Sequence, residues 1–297
     1  MRRSAKILGG ILGGLALGGL GVALWEAQGT EMDIRRLREE VTAWGARAPR
    51  GGGSPGDLEA LPPPVRRYLA FALPGPVSPL ESLRVEMEGI FRRPRTSDFA
   101  PASAVQVIAP GCPAFVFSVT TWPLPVLWAR AYDGFVEGHM VMRAKLLSCV
   151  PAVDEGGSPE LDRISLRRWL LESPLCPAAL LPGGPVRWEP LDDAHARAVV
   201  SFRGMEASLV ASFRPDGSLE SFRAEEEGDL TTPYHGSGEL VVREDYRLVQ
   251  GMRVPFAFTI SRVSGGRAYP FWSGRVTGLS VRRAGDRGRP QALRSLR

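Results

Sequence analysis

The sequence has few of the residues from which the common catalytic and metal sites are built. It contains three histidines and three cysteines in 297 residues. His139, His195 and His235 lie too far apart in sequence to form a local ligand pair, and no two cysteines lie within four residues of each other. That spacing excludes a zinc knuckle and a redox Cys-x-x-Cys pair. A nucleophile elbow, a phosphate loop and a dinucleotide fingerprint are also missing from the sequence. We therefore predict no catalytic residue, no metal site and no cofactor, and interpret the protein as a non-enzyme.

Lysine is scarce as well. Only Lys6 and Lys145 are lysines among 37 basic residues, and the formal net charge is +5. The bias toward arginine has two interpretations, GC-rich coding or an arginine surface for phosphate or anionic lipid. Outside the last residues of the chain the basic residues are scattered, with no stripe of interleaved aromatics. This distribution argues against nucleic acid as a partner.

One long apolar run stands out against this composition. The segment Ile7–Trp25 has nineteen residues and no charge, which at about 1.5 Å per residue nearly spans a hydrocarbon core of about 30 Å. Ile7, Leu15 and Leu20 are expected to face lipid, and Trp25 to lie at the interface. The sequence thus predicts an N-terminal transmembrane helix with the lipid bilayer as its partner.

The fate and orientation of this segment have alternatives. Small residues before position 24 fit cleavage of a secretory signal after Ala23, whereas the length of the run favours an uncleaved anchor. Basic residues precede the segment and acidic residues follow it first, which favours a single-pass protein of the cell membrane with an extracytoplasmic domain. The arginines at 35, 36 and 38 weaken that orientation.

The composition then divides the chain into four parts. Residues 1–30 are predicted to be the anchor or signal segment, and residues 31–56 a charged helix with a Gly-rich linker. Residues 57–283 are predicted to form a β-rich globular domain, and residues 284–297 a basic disordered tail. About 240 residues outside the anchor and linker are enough for a substantial core.

Period-two alternation predicts most of the domain to be β-structure. It is clearest in Leu83–Phe91, and Ala207–Phe213 with Leu219–Ala224 is typical of a hairpin across a Pro-Asp-Gly turn. Helices are predicted after Pro64 and between Ser158 and Ser173, where a proline follows an N-cap serine. The predicted fold class is α+β: a single N-terminal transmembrane helix, then a mainly antiparallel, curved, half-barrel-like meander with two or three helices.

Two features of this domain are candidates for a site. Arg168 and Glu172 lie four residues apart and therefore share a helix face. They form either an exposed ion pair of small energetic value or a buried pair that braces the helix over the sheet or faces a ligand head group. The second feature is an apolar sheet face that either packs as core or lines a lipid-sized cavity. Its members are Phe115, Phe117, Val254, Phe256 and Phe258.

The order of several short motifs resembles an uncharacterised, mostly bacterial family of unknown function. The resemblance covers residues 61 to 281, with Trp169 standing where the family tends to have tyrosine. No known reaction comes with it. The matching segments are Leu61-Pro-x-Pro-Val-x-Arg-Tyr-Leu69, Asp133–Gly138, Lys145–Leu147, Arg168-Trp-Leu-Leu-Glu172, Pro177–Pro182 and Trp188–Leu191.

The predicted meander with a few helices also looks like the lipoprotein-carrier class, in which helices plug a half-barrel that binds acyl chains. This likeness is one of fold and implies function only by analogy. We therefore expect an extracytoplasmic domain that binds an apolar or lipid ligand. The alternatives are an envelope scaffold for a protein partner and an enzyme with an unrecognised site, and the oligomeric state stays open.

Overall fold

A computed structural model of the chain describes residues 2–48, 55–76, 78–92, 98–124, 127–228, 230, 238–283, 285 and 291–292. Side chains are described from Trp25 onward, and not for residues 55, 56, 291 and 292. Residues 51–54 of the predicted linker, His235 and most of the predicted tail after residue 283 lie outside the described residues.

Helices are a minor part of the described chain. Two short 3-10 helices, Ser173–Leu175 and Pro177–Leu180, follow the last α-helix directly. The α-helices are α1 (Arg2–Arg47), α2 (Pro55–Glu59), α3 (Pro63–Ala72) and α4 (Pro159–Glu172).

The remainder is dominated by one large sheet, and the prediction that it is antiparallel is confirmed. Its strands are β1 (Leu80–Arg92), β2 (Phe99–Ala109), β3 (Ala114–Leu124), β4 (Leu127–Val136), β5 (His139–Leu146), β6 (Val150–Gly156), β7 (Val186–Pro190), β8 (His195–Phe202), β9 (Met205–Phe213), β10 (Leu219–Arg223), β11 (Leu240–Val249), β12 (Met252–Ser264), β13 (Arg267–Arg283) and β14 (Gln291–Ala292). The strand order is β6-β5-β4-β3-β2-β1-β13-β12-β11-β10-β9-β8-β7, with β14 paired to β13.

Several hairpins close on two residues with positive φ. Arg203 and Gly204 join β8 to β9, and Gln250 and Gly251 join β11 to β12. Such turns match the right-handed twist of the paired strands. A turn of this kind also joins β4 to β5, at Glu137 and Gly138.

The sheet curves around α4. This helix contacts β4 and β5 near one end of the strand order and β8 and β9 near the other. Trp169, with no exposed area, donates from its indole Nε1 to the carbonyl of Ala109 on β2 at 3.0 Å. A flat sheet could not bring strands so far apart in order to one helix, so α4 fills the inner face of a curved sheet.

The outer face is covered in part by α1. Val41 is fully buried against Val107 and Ala109 of β2 and Val116 of β3. Neighbouring residues of β2 such as Ile108 belong instead to the large inner core. Since successive side chains of a strand point to opposite faces, β2 and β3 are buried on both sides, which explains their long apolar runs.

The predicted fold class is wrong. Strand accounts for 54% of the structure and helix for 24%, so the molecule is essentially one large antiparallel sheet rather than an α+β fold. The helices are too short or too isolated to build a layer of their own, and they pack singly on the sheet. Helix α1 runs unbroken from Arg2 to Arg47 and so crosses the boundary predicted at residue 31 between the anchor and the charged helix.

The predicted N-terminal transmembrane helix is corrected as well. Among the helices of the described residues, none is long and apolar enough to cross a membrane. Between Trp25 and Arg47 the helix carries nine charged residues, which a spanning segment does not tolerate. Trp25 is exposed, whereas the side chains of Ile7, Leu15 and Leu20 lie outside the described ones.

Candidate functional site

Helix α4 begins with local chemistry that the sequence indicated. The Ser158 hydroxyl accepts from the backbone N–H of Leu161 at 3.3 Å, and Pro159 occupies the first helical position. Such a cap satisfies a donor that the first helical turn leaves without a partner. The predicted helix is thereby confirmed, and its last turns carry three charged residues to the inner face of the sheet.

Arg168 is the first of these. Its side chain is 5% exposed and its guanidinium donates to the carboxylate of Asp133 on β4. The guanidinium carbon lies 5.0 Å from the centre of the Phe115 ring and 4.7 Å from that of Phe117. A cation over two aromatic faces is attracted by their quadrupoles, so the carboxylate and both rings hold the buried charge.

Glu172 is the second. Arg243 on β11 donates to its carboxylate at 2.7 Å and to the carbonyl of Leu171 at 3.1 Å. The two charged side chains are 5% and 1% exposed. The Arg243 guanidinium also lies 5.8 Å from the Phe258 ring centre. This contact ties the end of α4 to the opposite half of the curved sheet from Asp133.

Arg167, which no sequence pattern indicated, is the third. It donates to Glu239 at 3.2 Å, and Arg262 on β12 reaches the same carboxylate at 3.3 Å. The N–H of Val263 also donates to Glu239, at 2.9 Å. Burial lowers the pKa of Arg167, and the negative charge of Glu239 opposes that shift. Two arginines around one buried carboxylate thus join α4 to β12.

The predicted pair of Arg168 and Glu172 therefore forms neither the exposed ion pair nor the buried pair of the two alternatives. Arg168 and Glu172 are both buried, but each pairs with the sheet rather than with the other. Together with Arg167 they form what we term the α4 clamp: three ion-paired contacts from one helix to strands on both sides. Removing one partner of a buried pair costs about 3–5 kcal/mol, so the clamp fixes the position of α4.

The predicted apolar sheet face is core. Phe115, Phe117, Val254, Phe256 and Phe258 are all buried in the inner cluster. The tilted ring contacts within that cluster, such as Phe258 against Trp272 at 5.3 Å between centres, are typical of close packing. These five side chains belong to the packed core, and none of them lines the groove described next.

An open groove lies instead beside α3. Pro63 and Pro64 begin this helix, and Tyr68 and Leu69 on one face are buried. The adjoining face, which shares Leu69 with the buried one, borders a groove of about 350 Å³ between α2, α3 and the end of the second 3-10 helix. Its lining is mainly aliphatic and comprises Leu58, Glu59, Arg66, Leu69, Ala70, Leu73, Gly75 and Leu181.

The charges of the groove stand at its rim. Glu59, Arg66 and Ala70 are exposed, whereas Leu58, Leu73 and Leu181 are half-buried. The groove thus combines an apolar floor with one cation and one anion at its rim. The sequence signal for it was weak, since residues at 58, 70 and 181 are far apart in the chain.

The histidines and cysteines do not assemble a site in the described residues. His195 pairs with Asp192 at 2.8 Å, and His139 lies 3.4 Å from Asp162, whose carboxylate also accepts from a backbone N–H of β5. Among the residues that the structure describes, no three His, Cys, Asp or Glu side chains stand close enough to share a metal ion. The cysteines are free thiols.

Comparison with known families identifies the family of the chain. Residues 59–280 match the model of a family of unknown function, DUF6920. The chain belongs to this family. The resemblance expected from the motifs is confirmed, because the match spans α3 through β13.

The other comparisons add no relative. No curated protein matches the chain, and no solved structure matches it. The likeness to lipoprotein carriers thus has no structural match behind it.

Several DUF6920 motif segments of this chain meet in space. Asp133 and Arg168 belong to two different segments and form one arm of the clamp. Leu69 and Leu181 belong to two others and line the groove. Four of the six segments are therefore scattered in sequence but meet at two places, one at α4 and one beside α3.

Proposed function

We propose that this DUF6920 domain is a non-enzymatic binding module that takes the apolar chain of an anionic amphiphile, such as a fatty acid, into the groove beside α3. The observation that carries the proposal is the open groove of about 350 Å³ with its leucine floor and Arg66 at the rim. The volume falls in the lower part of the range of small-molecule sites.

The chemistry of the lining favours this ligand class. Burying each methylene of a chain contributes about 0.8 kcal/mol, so affinity should rise with chain length until the floor is covered. A carboxylate head placed outside the floor can pair with the Arg66 guanidinium at the rim, while Glu59 disfavours a second negative charge nearby.

The non-enzymatic part of the proposal draws support from the buried charges. The carboxylates of Asp133, Glu172 and Glu239 are each held by at least one arginine and buried. A general acid or base needs a protonation change within reach of substrate. These groups instead join α4 to the sheet and are not among the residues that line the groove.

Binding of fatty acids of graded length tests the proposal. Native mass spectrometry and displacement of a fluorescent fatty acid should show one site, with affinity that grows from octanoate to hexadecanoate and then levels off. Ala70→Trp fills the groove and should abolish binding. Arg66→Gln should weaken carboxylate binding about tenfold, while the exposed Arg223→Gln, away from the groove, serves as its matched control.

Two results would contradict the proposal. One is the absence of binding at any chain length; the other is binding that survives Ala70→Trp. Stoichiometric crosslinking to a single protein in cells, with no fatty acid bound, would favour the alternative of a scaffold for a protein partner.

A further inference from the structure

Six of the thirteen exposed large hydrophobic side chains in the described part of the chain lie at the tips of two adjacent hairpins. Leu124 pairs with Leu127 where β3 turns into β4, and Leu146 pairs with Val150 where β5 turns into β6. Ala129 pairs with Leu146, which places the two tips side by side. We name this surface the tip patch; its members are Trp122, Leu124, Trp128, Leu146, Leu147 and Val150, all between 37% and 56% exposed.

The tips are held as one surface. The N–H of Leu147 donates to the carbonyl of Trp128 at 2.8 Å, and the indole Nε1 of Trp128 donates to the Ser148 hydroxyl at 3.0 Å. Both hairpin segments, residues 119–129 and 146–153, contain no charged residue. An uncharged apolar patch with two tryptophans is uncommon on a water-exposed protein surface and is typical of an interaction site.

Helix α1 reaches the same end of the sheet. Glu31 pairs with Arg130 and Glu26 pairs with Lys145, both at 2.7 Å. These contacts run along α1 toward the tips, so Trp25, which is 75% exposed, lies level with the patch. The preceding residues 7–24 of the same helix carry no charge and continue past the tips.

We propose that the tip patch is an interfacial contact surface for a lipid bilayer. Indole rings favour the boundary between hydrocarbon and head groups. A bilayer surface is broad enough to meet both hairpin tips and the uncharged stretch of α1 at once, whereas a protein partner would need to match three separate elements. Contact of this kind inserts side chains into the interface and requires no spanning helix.

Cys149 gives a local readout of this contact. It lies between the strands of the second tip and is partly exposed, whereas Cys112 and Cys176 are buried. Burial raises the pKa of the Cys112 thiol to about 11 and that of Cys176 to about 12, so both react slowly with a thiol reagent at neutral pH. An environment-sensitive fluorophore can therefore be attached at Cys149 in the full chain.

The experiment adds phosphatidylcholine vesicles, with and without phosphatidylglycerol, to the labelled protein. We expect a blue shift of the fluorophore and quenching by lipids that carry a doxyl group near the head group, both retained at high salt because the contact is apolar. The same fluorophore at Leu248→Cys, in a Cys149→Ser chain, should show neither change, since this exposed residue lies on β11 outside the patch.

Variants separate the patch from the rest of the chain. Trp122→Ser with Trp128→Ser should reduce the quenching at Cys149 about tenfold, and the control pair Leu191→Ser with Leu248→Ser should leave it unchanged. A label that stays in water while the chain sediments with vesicles would overturn the proposal, as would a chain that does not sediment. Concentration-dependent dimerisation without lipid that shields Cys149 would likewise overturn it and assign the patch to a second copy. None of these outcomes depends on the groove beside α3.

Discussion

The buried pair of Glu172 and Arg243 offers a quantitative test of the α4 clamp. Their side chains are 5% and 1% exposed, and the nitrogen and oxygen lie 2.7 Å apart. Arg243→Met keeps much of the apolar stem but leaves the Glu172 carboxylate buried with its cation removed. Breaking such a pair costs about 3–5 kcal/mol, which is a large fraction of the stability of most domains.

The double variant gives the opposite expectation. Glu172→Met with Arg243→Met removes both charges and leaves similar side-chain volumes. The free energy of unfolding of this double variant should therefore lie within about 1 kcal/mol of the parent value or exceed it. The difference between the double variant and the sum of the single ones measures the coupling. If each single variant costs at least about 3 kcal/mol and the double variant at most about 1 kcal/mol, this coupling is about 5 kcal/mol or more in favour of the pair.

Urea unfolding followed by circular dichroism is the assay. A loss of 3–5 kcal/mol shifts the midpoint down by about 1–2 M. Arg36→Met is the matched control, because Arg36 pairs with Glu40 on the surface of α1 and is 76% exposed; it should cost less than about 1 kcal/mol. If Arg243→Met cost no more than this control, the clamp would not hold α4 in place.

Two further predictions concern packing. Within the described residues the buried amide of Gln106 has no hydrogen-bond partner, so Gln106→Met should stabilise the protein by about 1 kcal/mol in the same assay; a loss of stability would show that the amide is satisfied. A Cβ on Gly45 of α1 would overlap the carbonyl oxygen of Glu81, so Gly45→Ala should cost about 1–3 kcal/mol. Gly29→Ala on the same helix meets nothing within 4 Å and should be neutral or stabilising by up to about 1 kcal/mol; equal effects at both sites would refute the docking of α1.

The sequence by itself determined the local features of the molecule. Alternation of side chains predicted the antiparallel meander, because a half-buried strand presents every second residue to the core. The cap at Ser158 and the proline after it predicted the start of α4, since these residues satisfy or omit the free N–H groups of a first turn. The motif segments predicted the family. Each of these signals lies within a few residues, where propensity and periodicity act.

The tertiary structure alone decided what each local element meets. Asp133 lies 35 residues from Arg168, and Arg243 lies 71 residues from Glu172, so helix spacing could indicate a shared face but not the partners on the sheet. The same limit explains the error at α1. An apolar run followed by a charged helix and a Gly-rich linker predicts a membrane span. The packing of Val41 onto β2, by contrast, depends on a sheet surface formed by distant residues. Periodicity reports which face of an element is apolar; which surface covers that face depends on how distant strands and helices come together.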